Sequence, residues 1–258
     1  MGMQGVRMKQ EILAALDGVE RQYSVRILCA VESGSRAWGF ASQDSDYDVR
    51  FIYAHPRDWY LSVFEQRDVI EPLGDGVLDP SGWDLRKALR LFSKCNLALN
   101  EWLNSPIVYR ELAGFRIQLQ SLIPVFFNPI AAVHHYSSMA SVAFAARGEG
   151  GEINTKKLFY ALRALLACRW IKRNGNQPPT EFARLVATVA AEDEKRWIAD
   201  LLEQKVIGRE SDQTVDTRDR LDPMMGELTS FMSYSTLAPR PAKPDSDTLD
   251  EVLRQWTN

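Results

Sequence analysis

The stretch Ser33 to Arg50, SGSRAWGFASQDSDYDVR, narrows the folds open to this chain of 258 residues more than any other. Two short apolar runs frame it: Val25 to Val31 (VRILCAV) before it, and Tyr47 to Tyr53 (YDVRFIY) at its end. The first is β-branched and apolar, as a buried strand is, and the second, introduced by Asp44–Asp46 and continuing as VRFIY, predicts a second strand. Gly34-Ser35 follows the first strand directly, and a short helix can begin near Ser35. Strand, Gly-Ser turn, short helix and second strand make one compact α/β unit.

The second strand opens on Asp46 and Asp48. Residues two apart in a strand share a face, so Asp46, Asp48 and Arg50 are expected to project together. Neighbouring carboxylates repel and are costly without a cation. A divalent metal resolves the repulsion, and hard oxygen donors favour Mg²⁺ or Mn²⁺. Arg50 is open to two readings: an ion pair with one of the aspartates, or a guanidinium for a phosphate group, which it can grip through two nitrogens. The backbone N–H groups of a Gly34-Ser35 turn suit phosphate oxygens, and Arg36 adds a cation and Gly39 a second permissive residue nearby.

The length fits one large domain or two small ones. Ile12, Leu13, Leu16 and Val19 recur at helical spacing and predict a helix over 8–23, after a lead-in at 2–7 without regular structure. Residues 55–65 read as a connecting helix or lid. Asp68–Pro72 and Val77–Asp79 read as short strands joined by the turn Gly74-Asp75-Gly76, and Ser81–Ser93 as a helix. From about residue 107 the pattern is helical, with helices expected at 108–121, 129–147, 153–173, 180–191 and 193–206. Asp222-Pro223 reads as an N-cap with proline at the first helical position. Residues 238–247 read as a Pro-rich linker, and 246–256 as a last helix docking through Leu249, Leu253 and Trp256. The expected division is 8–105, 106–236 and 237–258.

Composition excludes some classes. No apolar run is long enough to span a bilayer, and the N-terminus lacks the pattern of a signal peptide, so a cytoplasmic protein without a membrane partner is expected. Cys29, Cys95 and Cys168 are far apart and odd in number, as buried reduced thiols are, and no Cys/His cluster points to zinc. A net charge of −3 argues against a long nucleic-acid surface but leaves room for a local basic groove. Such a stretch exists: Ala140 to Gly175 carries seven Lys/Arg against two Asp/Glu. Within it Lys156, Tyr160 and Arg163 share one helix face, with Lys157 at its edge, while Leu158, Leu162 and Leu165 form a core stripe. His134 and His135 are adjacent in sequence, do not share a helix face, and read as capping or packing residues rather than metal ligands.

Gly34-Ser35 followed ten residues later by Ser45-Asp46-Tyr47-Asp48 resembles the signature of the DNA polymerase β nucleotidyltransferase superfamily. The fuller string Gly34-Ser35-Arg36-Ala37-Trp38-Gly39-Phe40, with Ser42 and Asp46-Tyr47-Asp48-Val49-Arg50, is similar to a narrower bacterial and phage branch tied to RNA repair. Gly82-Trp83-Asp84-Leu85-Arg86-Lys87, Glu101-Trp102-Leu103-Asn104-Ser105-Pro106 and Lys157-Leu158-Phe159-Tyr160-Ala161-Leu162-Arg163 look like it too. The resemblance runs from about residue 30 to 185.

It implies an α+β fold: a polymerase-β-like palm, a short mixed β-sheet with helices, followed by a helical domain. It implies two-metal transfer of NMP from an NTP to an acceptor hydroxyl, with Asp46 and Asp48 as metal ligands and catalytic residues. It implies a third carboxylate from a neighbouring strand, for which Asp79 is preferred, Asp84 is second (and equally a helix N-cap), and Glu71 is the remaining choice. Gly34, Ser35, Arg36 and Arg50 would meet the nucleotide. By the same resemblance Lys157 and Arg163 would neutralise phosphates and Tyr160 would lie near the base or sugar, with Trp38 close to the site. The branch points to an RNA end as acceptor, and the superfamily also includes members that modify small molecules or proteins. A non-catalytic nucleotide-binding module and a nucleotidylating member of a toxin–antitoxin pair are the rival expectations. Neither the preferred NTP nor the oligomeric state is legible.

Overall fold

The structure, a computed structural model, describes residues 3–42, 44–71, 76–149, 151–207, 214–231, 245 and 247–257. It is mixed α+β, as expected. The turn at 74–75 and most of the Pro-rich stretch lie outside the described residues. The chain divides into two units, one holding the described residues of 1–37, 46–126 and 243–258, the other those of 38–45 and 127–242. Residues 106–126 thus belong to the first unit, later than the division expected at 105.

The first unit is built on a five-stranded sheet. Its strands are β1 (Arg26–Glu32), β2 (Tyr47–Ala54), β3 (Val69–Ile70), β4 (Leu78–Asp84) and β5 (Val108–Glu111), in the order β3-β4-β2-β1-β5. β1 pairs antiparallel with β2 and with β5, while β2 and β4 run parallel. One face is covered by α1 (Met3–Tyr23), whose Ile12, Leu16 and Val19 bury against Ile27, Val49, Phe51 and Tyr53. Each such side chain contributes about 1.5–3 kcal/mol when fully buried. Because α1 takes the odd-numbered side chains of β2, alternation assigns Asp48, Arg50 and Ile52 to the opposite face. α1 starts at Met3, so the lead-in expected at 2–7 is largely helix.

Three further expectations are corrected. β4 does not stop at Asp79 but continues through Pro80 and Gly82 to Asp84, where α4 (Leu85–Phe92) begins. Residues 108–111 are strand β5, not the start of a helix, and α6 covers Phe115–Phe126. Within 55–65 only α3 (Arg57–Tyr60) is helical. Gly82 is required where it stands: a Cβ there would come within 2.1 Å of the Phe51 ring. The unit is completed by α2 (Gly34–Trp38), which begins in it, by α5 (Leu97–Leu103), and by α12 (Asp247–Trp256). α12 docks through Trp256, which packs edge-on against Phe115 and donates its indole N–H to Gln118 at 2.8 Å.

The second unit is helical around α7 (Pro129–Ala145) and α8 (Thr155–Asn174). Asn128 and Asn154 cap these two helices, each accepting two backbone N–H groups, and His135 packs edge-on against Tyr136 within α7. α8 ends on Gly175, whose left-handed φ of +69° suits a residue without a side chain. α9 (Phe182–Val189) and α10 (Glu192–Ile207) follow, and a small ribbon pairs β6 (Glu152–Asn154) with β7 (Thr214–Asp216). α11 runs Arg218–Phe231 with Pro223 inside it, so Asp222-Pro223 does not open this helix. Among the described residues no helix is long and apolar enough to cross a membrane.

Candidate active site

β2 and β4 run parallel with Asp48 opposite Asp79. Their carboxylates share one cation. Arg50 Nη2 donates to Asp48 Oδ1 at 3.0 Å and to Asp79 Oδ2 at 2.7 Å, and its Nη1 donates to the Asp79 carbonyl at 2.7 Å. Arg50 is the least exposed of the three at 19%, Asp48 is 31% exposed and Asp79 60%. The guanidinium thus forms the floor of an acidic cluster whose far side is open to solvent through Asp79.

The Gly-Ser turn lies against this cluster. Gly34 has a left-handed φ of +60°, and a Cβ on it would come within 2.2 Å of Asp48 Oδ2. Only glycine leaves room for the carboxylate there. The Ser33 N–H donates to the Asp48 carbonyl at 2.9 Å, locking the turn to the strand. Ser35 is buried. Arg36 lies over the Tyr47 ring at 3.7 Å and donates from Nε to the Asp46 carbonyl at 3.0 Å. Asp46 is exposed and sits just before β2 begins. α2 is only five residues long, so its dipole is small and the amides of the turn itself matter more.

The other proposed carboxylates are elsewhere. Asp84 is five residues further along β4, opposite Tyr53. It is fully buried, accepts the Arg86 N–H at 2.8 Å as the N-cap of α4, and accepts the Tyr60 hydroxyl at 2.6 Å. Burial pushes its carboxyl above the usual range. Glu71 is exposed and takes Arg67 at 3.4 Å.

Of the α8 residues, Lys157 is exposed, Tyr160 half-buried and Arg163 fully buried. The Arg163 guanidinium lies 4.3 Å over the Trp38 ring, and Tyr160 meets Trp38 edge-on at 4.8 Å. These four residues belong to the second unit. The helical period places residues on one face without telling how deep that face lies, so the burial of Arg163 was not legible.

Two residues at the cluster are absent from the sequence expectations. Glu32 ends β1, is fully buried, and accepts the Asp48 N–H on Oε1 at 2.8 Å and the Tyr109 hydroxyl on Oε2. Burial pushes its carboxyl up to about 7, against the lowering effect of the Tyr109 and Asp48 hydrogen bonds. The available signal was an acid ending an otherwise apolar strand one residue before the Gly-Ser turn.

Among the described residues no group of three or more His, Cys, Asp or Glu side chains forms a ready-made metal cage. Mg²⁺ does not need one, since it commonly takes one or two carboxylates and completes its shell with water and substrate phosphates. The donors at hand are hard oxygens, and Gly34 keeps open the cradle in which Asp48 lies. This donor set fits Mg²⁺ or Mn²⁺.

The RNA repair pathway DNA polymerase beta family matches residues 8–255. The chain belongs to that family. Membership puts it among the polymerase-β-like nucleotidyltransferases, over a longer stretch than the 30–185 legible in its motifs. A relative in Bacillus subtilis (strain 168), named "Uncharacterized protein YcgL", is 50% identical over 206 residues, 80% of this chain and 79% of its own length. A solved structure of a nucleotidyltransferase-like protein from Exiguobacterium sibiricum 255-15 is 14% identical, with a TM-score of 0.32 over 96% of this chain and 80% of that one.

Proposed function

We propose that this family member is a cytoplasmic, metal-dependent nucleotidyltransferase that moves NMP from an NTP to an acceptor hydroxyl, with an RNA end as acceptor. The observation that carries the reading is the Asp48–Arg50–Asp79 cluster on two parallel strands, with Gly34 packed against Asp48. Mg²⁺ or Mn²⁺ held by Asp46 and Asp48 would supply Lewis-acid charge on the triphosphate and acidify the acceptor hydroxyl. Asp79, the most exposed of the cluster, orients the hydroxyl and takes its proton. The acceptor oxygen forms a bond to the α-phosphorus as the bond from that phosphorus to the bridging oxygen breaks, and pyrophosphate leaves. Arg50 stays paired to both carboxylates and lends positive charge to the transferring phosphoryl group. The amides of Gly34 and Ser35, with Arg36, hold the outer phosphates. The assignment of Lys157, Tyr160 and Arg163 to the nucleotide rests on the family resemblance.

One observation favours a second reading, a nucleotide-binding module without turnover: Arg50 already neutralises both Asp48 and Asp79. Incubation with α-labelled NTPs, Mg²⁺ and an RNA carrying a free 3′-hydroxyl separates the two. Transfer of label that disappears in Asp46→Asn/Asp48→Asn supports the enzyme. Binding of NTP without transfer to RNA, small-molecule or protein acceptors supports the module. Label transfer unchanged in the double variant sinks the assignment of this site.

A further inference from the structure

Glu32 has three features that the end of a strand does not require. Its side chain is fully buried although it is an acid at the edge of an open site. One carboxylate oxygen accepts the backbone N–H of Asp48 at 2.8 Å, and the other accepts the Tyr109 hydroxyl. Its own carbonyl accepts the Ser105 hydroxyl at 2.6 Å, and its N–H donates to the Ile107 carbonyl at 3.0 Å. Burying a carboxylate is costly, and an apolar residue would serve the core better there. The surrounding fold is nevertheless bent to satisfy it. The β1–β5 register passes from Ala30 opposite Arg110 to Val31 opposite Val108, so Tyr109 has no partner in the ladder and is bulged. A bulge re-aims one side chain, and here it delivers the Tyr109 hydroxyl to Glu32.

Asp48 is thus held at both backbone groups: its N–H by the Glu32 carboxylate, its carbonyl by the Ser33 N–H. The peptide on its N-terminal side leads back to Asp46 through Tyr47. A carboxylate accepts a backbone N–H more strongly than a carbonyl does, which suits a peptide that has to stay fixed.

We propose that Glu32 is a positioning residue for Asp48: braced by the bulged Tyr109 and by Ser105, its buried carboxylate fixes the backbone from which Asp48 is presented to the metal-bound triphosphate. The inference rests on the nucleotidyltransferase reading above. It separates Glu32 from the residues that would touch substrate, since Glu32 acts only through Asp48. Groups that orient a metal ligand from behind typically change metal affinity by about 10- to 100-fold when removed.

The test is Mn²⁺ binding, followed by electron paramagnetic resonance with a non-hydrolysable NTP analogue present, for the unaltered chain, Glu32→Ala, Glu32→Gln and Tyr109→Phe. Glu32→Ala is expected to weaken Mn²⁺ binding by about 10-fold or more. Glu32→Gln keeps an acceptor for the Asp48 N–H and is expected to restore binding to within about threefold. Tyr109→Phe removes only a hydroxyl, leaves the ring in the sheet, and is expected to weaken binding by about threefold with circular dichroism unchanged. Should Glu32→Ala fail to fold, Tyr109→Phe decides the matter. Unaltered affinity in Tyr109→Phe, or in a folded Glu32→Ala, overturns the positioning role and leaves the nucleotidyltransferase reading standing. Absence of Mn²⁺ binding by the unaltered chain overturns both.

Discussion

Replacing Gly34 by alanine puts a methyl group where the Asp48 carboxylate already lies. The added Cβ would be 2.2 Å from Asp48 Oδ2, closer than real Cβ contacts allow, so the carboxylate must retreat by about 1 Å. Gly34 also sits at φ +60°, where an L-residue costs about 1–2 kcal/mol. Part of that is offset by the loss of about 0.4–1 kcal/mol of unfolded-chain entropy that alanine brings. The net loss of stability is therefore about 1 kcal/mol, or about 2–4 °C in melting temperature for a domain of ordinary size. Activity should suffer far more, because a misplacement of about 1 Å in a reacting group costs about 100-fold in rate. Gly175 supplies the control. Its φ of +69° imposes the same strain, but a Cβ there meets nothing within 4 Å. Melting curves and label-transfer rates of Gly34→Ala and Gly175→Ala, side by side, separate backbone strain from the clash. The expected result is similar melting shifts with an activity loss confined to Gly34→Ala. Equal activities in the two variants would refute the argument that Gly34 exists to make room for Asp48.

Three other perturbations follow from the same structure. Arg50→Met leaves Asp48 facing Asp79 with no cation between them. Mn²⁺ titration without nucleotide should then show tighter binding than in the unaltered chain, while label transfer falls by at least about 100-fold. Gly82→Ala drives a methyl to 2.1 Å from the Phe51 ring, and its overpacking cost of about 1–3 kcal/mol should appear as a lower urea midpoint that Phe51→Leu partly restores. In the second unit Glu194 is buried, which alone would raise its carboxyl, but hydrogen bonds from Arg169 at 2.5 and 2.8 Å outweigh burial and hold it below the usual range. A depressed folded value means that its contribution is present above the unfolded value of 4.5 and is lost as pH falls through the lower folded value. The urea midpoint of the unaltered chain should thus drop below pH 4.5 more steeply than that of Glu194→Gln; parallel curves would contradict the assignment.

The sequence made the centre of this site legible and left its supports hidden, for physical reasons. β1 is legible because its run is short, apolar and followed by turn residues, β2 because VRFIY follows the Asp44–Asp46 entry, and the shared face of Asp48 and Arg50 follows from strand alternation alone. The sequence pattern ends β4 at Asp79 because the helical spacing of Leu85, Leu89 and Phe92 draws Ser81–Ser93 into a helix. In the structure Pro80 is tolerated because, among the described residues, β3 pairs with Gly82 and Trp83 and leaves β4 an edge at the proline, and Gly82 is there to clear Phe51. No local signal announces a contact with a ring 31 positions earlier. β5 was read as helix because its four residues have no alternation strong enough to override the helical stretch after them. Its strand state comes from pairing with β1, and Arg110 adds ion pairs to Asp17 and Glu20. Glu32 escapes a sequence reading because its partners lie far along the chain: Tyr109 sits in a strand with no local signal, and Ser105 in the loop that leads into it. Pro223 misled in the opposite direction. A proline after aspartate usually opens a helix, but α11 carries it in its second turn, held by the buried Leu221, Met224 and Leu228.

The most direct measurement of the central claim is the anomalous signal of Mn²⁺ in crystals grown with a non-hydrolysable NTP. The account predicts Mn²⁺ peaks at the carboxylates of Asp46 and Asp48, the triphosphate against Gly34 and Ser35, and Arg50 still bonded to Asp79. A nucleotide bound elsewhere, with Asp48 and Asp79 unchanged and no Mn²⁺ beside them, would contradict it.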